Sequence, residues 1–220
     1  MSPAHQTRLH PGPLPVLIRN SPLMQKGGFE IFAGLLDANT LHLMLSEAMS
    51  LVATAQASEV LVSVDEEVRG GKPARRFLSA PGGPFLDAFY HAAWLQRFLH
   101  QVIDAPLRPT GGCGTYTYYA RPGDCLALHR DIETCDLAVI PCLHDCPDPT
   151  SEGGMLCLYP DRLFEPLSTI RQSPEQGVVR LRLMPGQTLV LFGGIVPHTV
   201  LPIAAGQVRI IAPLCYRVYT

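Results

Sequence analysis

From Pro109 onward the chain is cut into short apolar or alternating segments by glycine and proline turns. TYTYYA is followed by the Arg121-Pro122-Gly123-Asp124 turn, then by CLALHRD, CDLAVIPCL and GGMLCLYP. VVRLRLM alternates, with Val179, Leu181 and Leu183 on one face and Arg180 and Arg182 on the other. Pro185-Gly186 leads into TLVLF, Gly193-Gly194 into VPHTVLPI, and QVRIIAPLCYRVY closes the chain. About eight strands in some 110 residues predict a sandwich, barrel or jelly roll.

The preceding residues read differently. Leu41, Met44, Leu45, Ala48, Leu51, Val52 and Ala55 recur with helical spacing behind Asp37, a natural N-cap. A second helix is predicted from Phe85 to Ile103, with Phe85, Ala88, Phe89, Ala92, Leu99 and Val102 as its apolar stripe and Pro106 as its stop. Gly70-Gly71 between them suggests a hairpin or loop carrying Lys72, Arg75 and Arg76. Pro3, Pro11, Pro13, Pro15 and Pro22 make residues 1–28 read as an arm. The expected layout is mainly β with flanking helices. Residues 29–220 form one domain, with helical support over about 29–108 and the β core over about 109–220.

With 47% hydrophobic and 16% charged residues the chain is an ordinary globular one, and it has no apolar run long enough to span a membrane. A net charge of -2 argues against nucleic-acid binding driven by bulk charge. The seven cysteines are odd in number and no secretion signal precedes them, so a reducing, cytoplasmic setting with free thiols is expected. Cys125, Cys157 and Cys215 read as small core residues.

His129-Arg130-Asp131 ends a predicted strand, so His129 and Asp131 project to one face and Arg130 to the other. With eight His and ten Asp in the chain, chance alone supplies about 0.4 such motifs, and a lone pair of this kind is usually just a hydrogen-bonded pair. A second imidazole on another strand, His198, would complete a two-histidine, one-carboxylate facial triad. Arg209 follows eleven residues later inside the apolar VRIIAPL. A guanidinium in such a strand needs an anion, and its fork matches a carboxylate. Its alternative is an internal or surface ion pair. Cys142-x-His144-x-Cys146, with Cys135 upstream, offers a zinc set whose spacing fits no common knuckle, so loop or core cysteines are the plainer reading.

His129-x-Asp131 followed by His198 and Arg209 resembles the Fe(II)/2-oxoglutarate-dependent dioxygenases, and the surrounding text resembles their prolyl-hydroxylase-like branch. Tyr119 stands ten residues before His129, Gly153-Gly154-Met155-Leu156 is similar to that branch's Gly-Gly strand, and Phe32-x-Gly34-Leu35-Leu36-Asp37 is similar to its usual opening. The resemblance implies a double-stranded β-helix, a cupin-like jelly roll preceded by two buttressing helices. It implies Fe(II) held by His129, Asp131 and His198, and 2-oxoglutarate held by Arg209 near Tyr119. It implies O2 as co-reactant and ascorbate as a stimulant. The reaction implied is oxidative decarboxylation to succinate and CO2 coupled to hydroxylation, with desaturation and cyclisation as variants. Halogenating relatives lack the carboxylate present here as Asp131. One departure is Cys142, standing where many relatives carry a tyrosine; Thr199 or Tyr118 would then supply the missing hydroxyl, and Tyr116 joins the pocket-lining set. A small molecule or amino acid is the expected substrate, with no nucleic-acid or membrane partner. A prolyl-type protein hydroxylase and a non-catalytic cupin-like binder of a metal or carboxylate are the alternatives.

Overall fold

The computed structural model of the protein describes residues 16–64, 67, 69–146 and 151–219. The arm before residue 16 and the prolines at 147 and 149 lie outside them. Residues 16–28 are not loop throughout: they hold two four-residue helices, α1 (Val16–Arg19) and α2 (Pro22–Gln25). Pro22 takes the first turn, where its missing N–H costs nothing, Ser21 caps Met24 N, and Leu23 is buried.

Helix α3 (Ala38–Leu51) starts at Asp37, whose carboxylate accepts from Thr40 N at 2.6 Å. The predicted second helix is in fact two, α4 (Pro84–Tyr90) and α5 (Ala93–Ile103). Leu86, Phe89 and Tyr90 are buried on the first. Continued without a break, that face would meet Ala93 and Arg97. The turn at His91–Ala92 changes the phase, so that Leu95, Leu99 and Ile103 are buried instead. Phe85, placed in the stripe by sequence, is exposed.

The strands are β1 (Phe29–Ala33), β2 (Gln56–Val60), β3 (Arg75–Pro81), β4 (Leu107–Pro109), β5 (Thr115–Tyr119), β6 (Cys125–His129) and β7 (Leu137–Cys146). The rest are β8 (Leu156–Leu158), β9 (Val179–Leu181), β10 (Gln187–Leu191), β11 (His198–Val200), β12 (Val208–Ile211) and β13 (Leu214–Val218). Every pairing among them is antiparallel, in the order β1-β10-β7-β12-β5-β3-β6-β11-β8-β9, with β13 beside β7 and β4 and with β2 beside β3. This is the expected curled jelly-roll core with helices at its flank.

Strand β7 is the corner. Its first half pairs with β10 and β13, its second half with β12. Pro141 sits at the changeover, where the register against β12 slips between Ile210 and Ile211. A proline that lacks a ladder N–H is tolerated at such a bulge.

Two tyrosines of β5 bolt the helical layer to the sheet. Tyr116 donates to Glu47 Oε1 at 2.6 Å and Tyr118 to the Ala48 carbonyl at 2.7 Å. Glu47 also accepts from the backbone N–H of Gly83, Phe85 and Leu86, and so caps the start of α4 from within the core.

The cysteines depart from expectation: Cys125 is half-buried and outside the core, and two others are bonded. Cys135 and Cys215 form a disulfide across a sequence separation of 80. The pairing of Cys215 with Ala138 and of Tyr216 with Leu137 brings them together. Cys215 is therefore not a free core thiol, and the expectation of a reducing, cytoplasmic setting loses part of its premise. Among the described residues no helix is long and apolar enough to cross a membrane.

Candidate active site

His129 ends β6, Asp131 follows two residues on, and His198 opens β11 directly opposite His129 in the register. Between His198 and Val200 the β6 partner advances by three residues instead of two. This irregularity is of the kind that re-aims side chains beside sites. His129 Nε2 lies 3.4 Å and His198 Nε2 3.7 Å from Asp131 Oδ1, and the two imidazole centroids are 4.2 Å apart. One ligand atom from each residue lies within 4.8 Å of the other two. Among the described residues it is the one such cluster of three or more potential ligands.

Both rings are held by their far nitrogen. Nδ1 of His129 faces the Ala127 carbonyl and Nδ1 of His198 the Val196 carbonyl, each at 2.9 Å. With Nδ1–H donating, each Nε2 keeps its lone pair turned toward Asp131, as metal ligation requires. Burial, with His129 beside it, pushes the His198 pKa down to about 4, so its ring is neutral at pH 7. Burial works against the charge on Asp131. His198, His129 and Arg69 outweigh it and hold the carboxyl below its usual range. Two imidazoles and one carboxylate fit a borderline divalent ion such as Fe(II).

The second half of the site is Arg209. It is fully buried in β12, with Tyr119 opposite it on β5 and Asp145 opposite it on β7. Its Nη1 donates to the Gly154 carbonyl, while Nε and Nη2 are buried with no partner. Asp145 Oδ2 is engaged by Arg182 at 3.2 Å, and its Oδ1 is buried with no hydrogen-bond partner. Two orphaned donors on a buried guanidinium are unfavourable unless an anion meets them, and a ligand carboxylate has the matching geometry.

The remaining sequence candidates divide by face. Tyr119 shares the inner face with Arg209, and burial raises its pKa against the opposing pull of that guanidinium. Cys142 is also buried on this face, register partner of Ile211, and donates to the Leu183 carbonyl at 3.4 Å. Burial pushes its thiol up to about 11. Tyr116 and Tyr118 point the other way, onto α3, and line no pocket at the site. Alternation along β5 forces this once Tyr119 faces in. Thr199 likewise turns away from His198 and donates to the Leu126 carbonyl at 2.7 Å.

Among the described residues no ligand cluster forms around Cys142, His144 and Cys146, and Cys135 is in the disulfide. Arg130 is a buried brace, donating to the carbonyls of Ile195, Leu163 and Glu165. Arg76 donates to Asp124, the carboxylate that also caps the turn after Tyr119. Sequence reasoning passed over Arg69, whose side chain reaches the Asp131 carbonyl. A lone arginine in a polar loop carries no periodic signal that could have found it.

No protein-family model matches the chain, and no curated protein matches it in sequence. Solved structures do match in fold. A Pseudomonas putida prolyl-4-hydroxylase superposes with a TM-score of 0.59 at 19% identity, over 92% of this chain and 100% of that one. A Trichoplax adhaerens prolyl hydroxylase, solved with a hypoxia-inducible-factor peptide, gives 0.62 at 20% identity over 91% and 87%. The epimerase SnoN, solved with Fe3+, alpha-ketoglutarate and nogalamycin RO, gives 0.67 at 16% identity over 91% and 82%. With its two histidines, carboxylate and buried arginine set on the matching jelly roll, the chain has the fold of the 2-oxoglutarate/Fe(II) oxygenases, prolyl hydroxylases among them.

Proposed function

We propose that the protein is an Fe(II)- and 2-oxoglutarate-dependent oxygenase that hydroxylates a small molecule or free amino acid. One observation carries this reading. A cluster of two Nδ1-anchored imidazoles and a carboxylate lies on the same sheet as a fully buried arginine that has two unpartnered donors. A metal answers the first and a dicarboxylate the second. His129, Asp131 and His198 would hold the iron, and Arg209 the distal carboxylate of 2-oxoglutarate. The chemistry such a centre supplies when bound is decarboxylation of 2-oxoglutarate to succinate and CO2 coupled to C–H oxidation by O2.

The chain's own contribution is positioning and charge. Val196 and Ala127 carbonyls fix which ring nitrogens face the centre. His198 stays neutral at pH 7 and ready to ligate. Asp131 stays ionised and supplies the negative charge the ion requires. Arg209, fully buried in its strand, would give the cosubstrate a fixed orientation at low effective dielectric. Cys142, in place of a phenol, leaves Arg209 the main anchor.

The second reading, a hydroxylase of a protein side chain, is favoured by prolyl hydroxylases among the fold neighbours, one of them solved with a peptide. A cupin-like binder without turnover keeps the metal and loses the coupled reaction.

The test is anaerobic titration of iron(II) and then 2-oxoglutarate into apo-protein, following the visible charge-transfer band of their chelate. The band is expected in the wild type, absent in His129→Ala, and in Arg209→Ala to need far more 2-oxoglutarate. A folded wild type with no band rejects the oxygenase reading. A band without succinate formation on admitting O2, across small-molecule and peptide substrate panels, supports the binder.

A further inference from the structure

Gly193 and Gly194 precede the strand that carries His198, and neither lies in the left-handed region. Space explains them instead. A Cβ on Gly193 would stand 1.8 Å from Asp131 Oδ2, and one on Gly194 2.2 Å from Arg69 Nη2 and 2.4 Å from its Cζ. The two glycines are adjacent seats, the first for the carboxylate and the second for a guanidinium.

That guanidinium makes its contacts within one short segment. Arg69 Nε donates to the Asp131 carbonyl at 3.1 Å, and Nη2 to the Cys135 carbonyl at 2.7 Å and to Asp136 Oδ1 at 2.9 Å. The far end of the segment is otherwise well secured. Cys135 is bonded to Cys215, Asp136 N donates to the Tyr216 carbonyl, and Asp136 Oδ2 accepts from Val218 N. At the near end Asp131 N donates to the Gly193 carbonyl at 2.8 Å. Arg69 therefore spans the segment, tying the residue that bears the carboxylate to an end already fixed on β13.

We propose that Arg69, seated on Gly194, is a positioning residue for the metal-ligating carboxylate of Asp131. This rests on the metal-centre reading above. The planar fork is what the role needs, since three acceptors are met by two nitrogens in fixed geometry, which a lysine ammonium cannot reproduce. Groups that orient a metal ligand from behind typically alter metal affinity by about 10–100-fold when removed.

The experiment is titration of apo-protein with Co(II) alone, reading affinity and the visible d–d spectrum. The proteins compared are wild type, Arg69→Ala, Arg69→Lys, Gly194→Ala, the Arg69→Ala/Gly194→Ala double variant and His129→Ala, each checked for fold by circular dichroism. Arg69→Ala is expected to weaken Co(II) by about 10-fold or more, with a changed spectrum at saturation. Arg69→Lys is expected to recover only part of that loss. Gly194→Ala evicts the guanidinium while leaving residue 69 intact, so its loss should match that of Arg69→Ala, and the double variant should be no worse than either. If Arg69→Ala does not fold, Gly194→Ala and Arg69→Lys carry the same comparison. A folded Arg69→Ala within about 2-fold of wild type with an unchanged spectrum would overturn the role, as would losses that add in the double variant. Failure of wild type to bind Co(II), or binding untouched in His129→Ala, would instead remove the metal centre itself.

Discussion

Arg209 is where function and stability pull against each other most directly. Its guanidinium is fully buried, yet two of its nitrogens have no partner. Replacing such a group with an apolar side chain of similar volume commonly stabilises a protein. Arg209→Met is therefore expected to raise the stability of ligand-free protein by about 1–3 kcal/mol in chemical denaturation while abolishing 2-oxoglutarate binding. A loss of stability would mean that the arginine already has an internal counter-charge. His198 gives a second expectation. Its folded pKa of about 4 lies below its ordinary 6.5, so between those values the unfolded chain binds more protons than the folded one. The contribution is fully present above about pH 6.5 and is lost as pH falls toward 4. Asp131, also held low, acts in the same direction. Apo-protein should lose stability over that window, and His198→Gln should flatten the loss in urea melts taken at successive pH values.

Among the elements, β7 and β13 decide most. β7 turns the corner at Pro141, and β13 pairs with its first half while the disulfide joins the segment before β7 to β13 itself. Cross-linking residues 80 apart restricts the unfolded chain. The Cys135→Ser/Cys215→Ser pair is expected to cost about 2–5 kcal/mol, measured as a lower midpoint in guanidinium that matches wild type treated with a thiol reductant. An unchanged midpoint in both would show that the strand pairing alone holds this edge. The strands were legible because Gly and Pro punctuate them, and α3 because Asp37 and its apolar spacing agree. The break between α4 and α5 was not. Neither glycine nor proline marks it, and Arg97 is what a continuous helix would have buried.

At the scale of the whole molecule, the proposed metal centre joins β6 and β11, while the proposed anion site joins β12 to β5 and β7. A metal bound there should stabilise the fold by linkage, by about 2.7 kcal/mol at one hundred times its Kd. Thermal melts are expected to rise with Mn(II) and to fall back on adding chelator. 2-Oxoglutarate should add a further increment only when metal is present, and Arg209→Met should remove that increment alone. An increment from 2-oxoglutarate without metal would separate the two halves of the site.

Read alone, the sequence determined what local chemistry determines: where turns break the chain, which residues alternate across a strand, and that His129 and Asp131 share a face. It also supplied Arg209 as a cation in an apolar strand that calls for an anion, from a ligand or from within the protein. Tertiary structure decided what depends on contacts between distant segments. It turned Tyr116, Tyr118 and Thr199 away from the site and onto Glu47, Ala48 and Leu126, by setting which face of each strand turns inward. It joined Cys135 to Cys215 through the pairing of β7 with β13. It explained Gly193 and Gly194 by side chains arriving from residues 131 and 69. Alternation and turn chemistry are properties of neighbours along the chain, whereas a seat for a carboxylate or a guanidinium exists only once the segments that form it have packed.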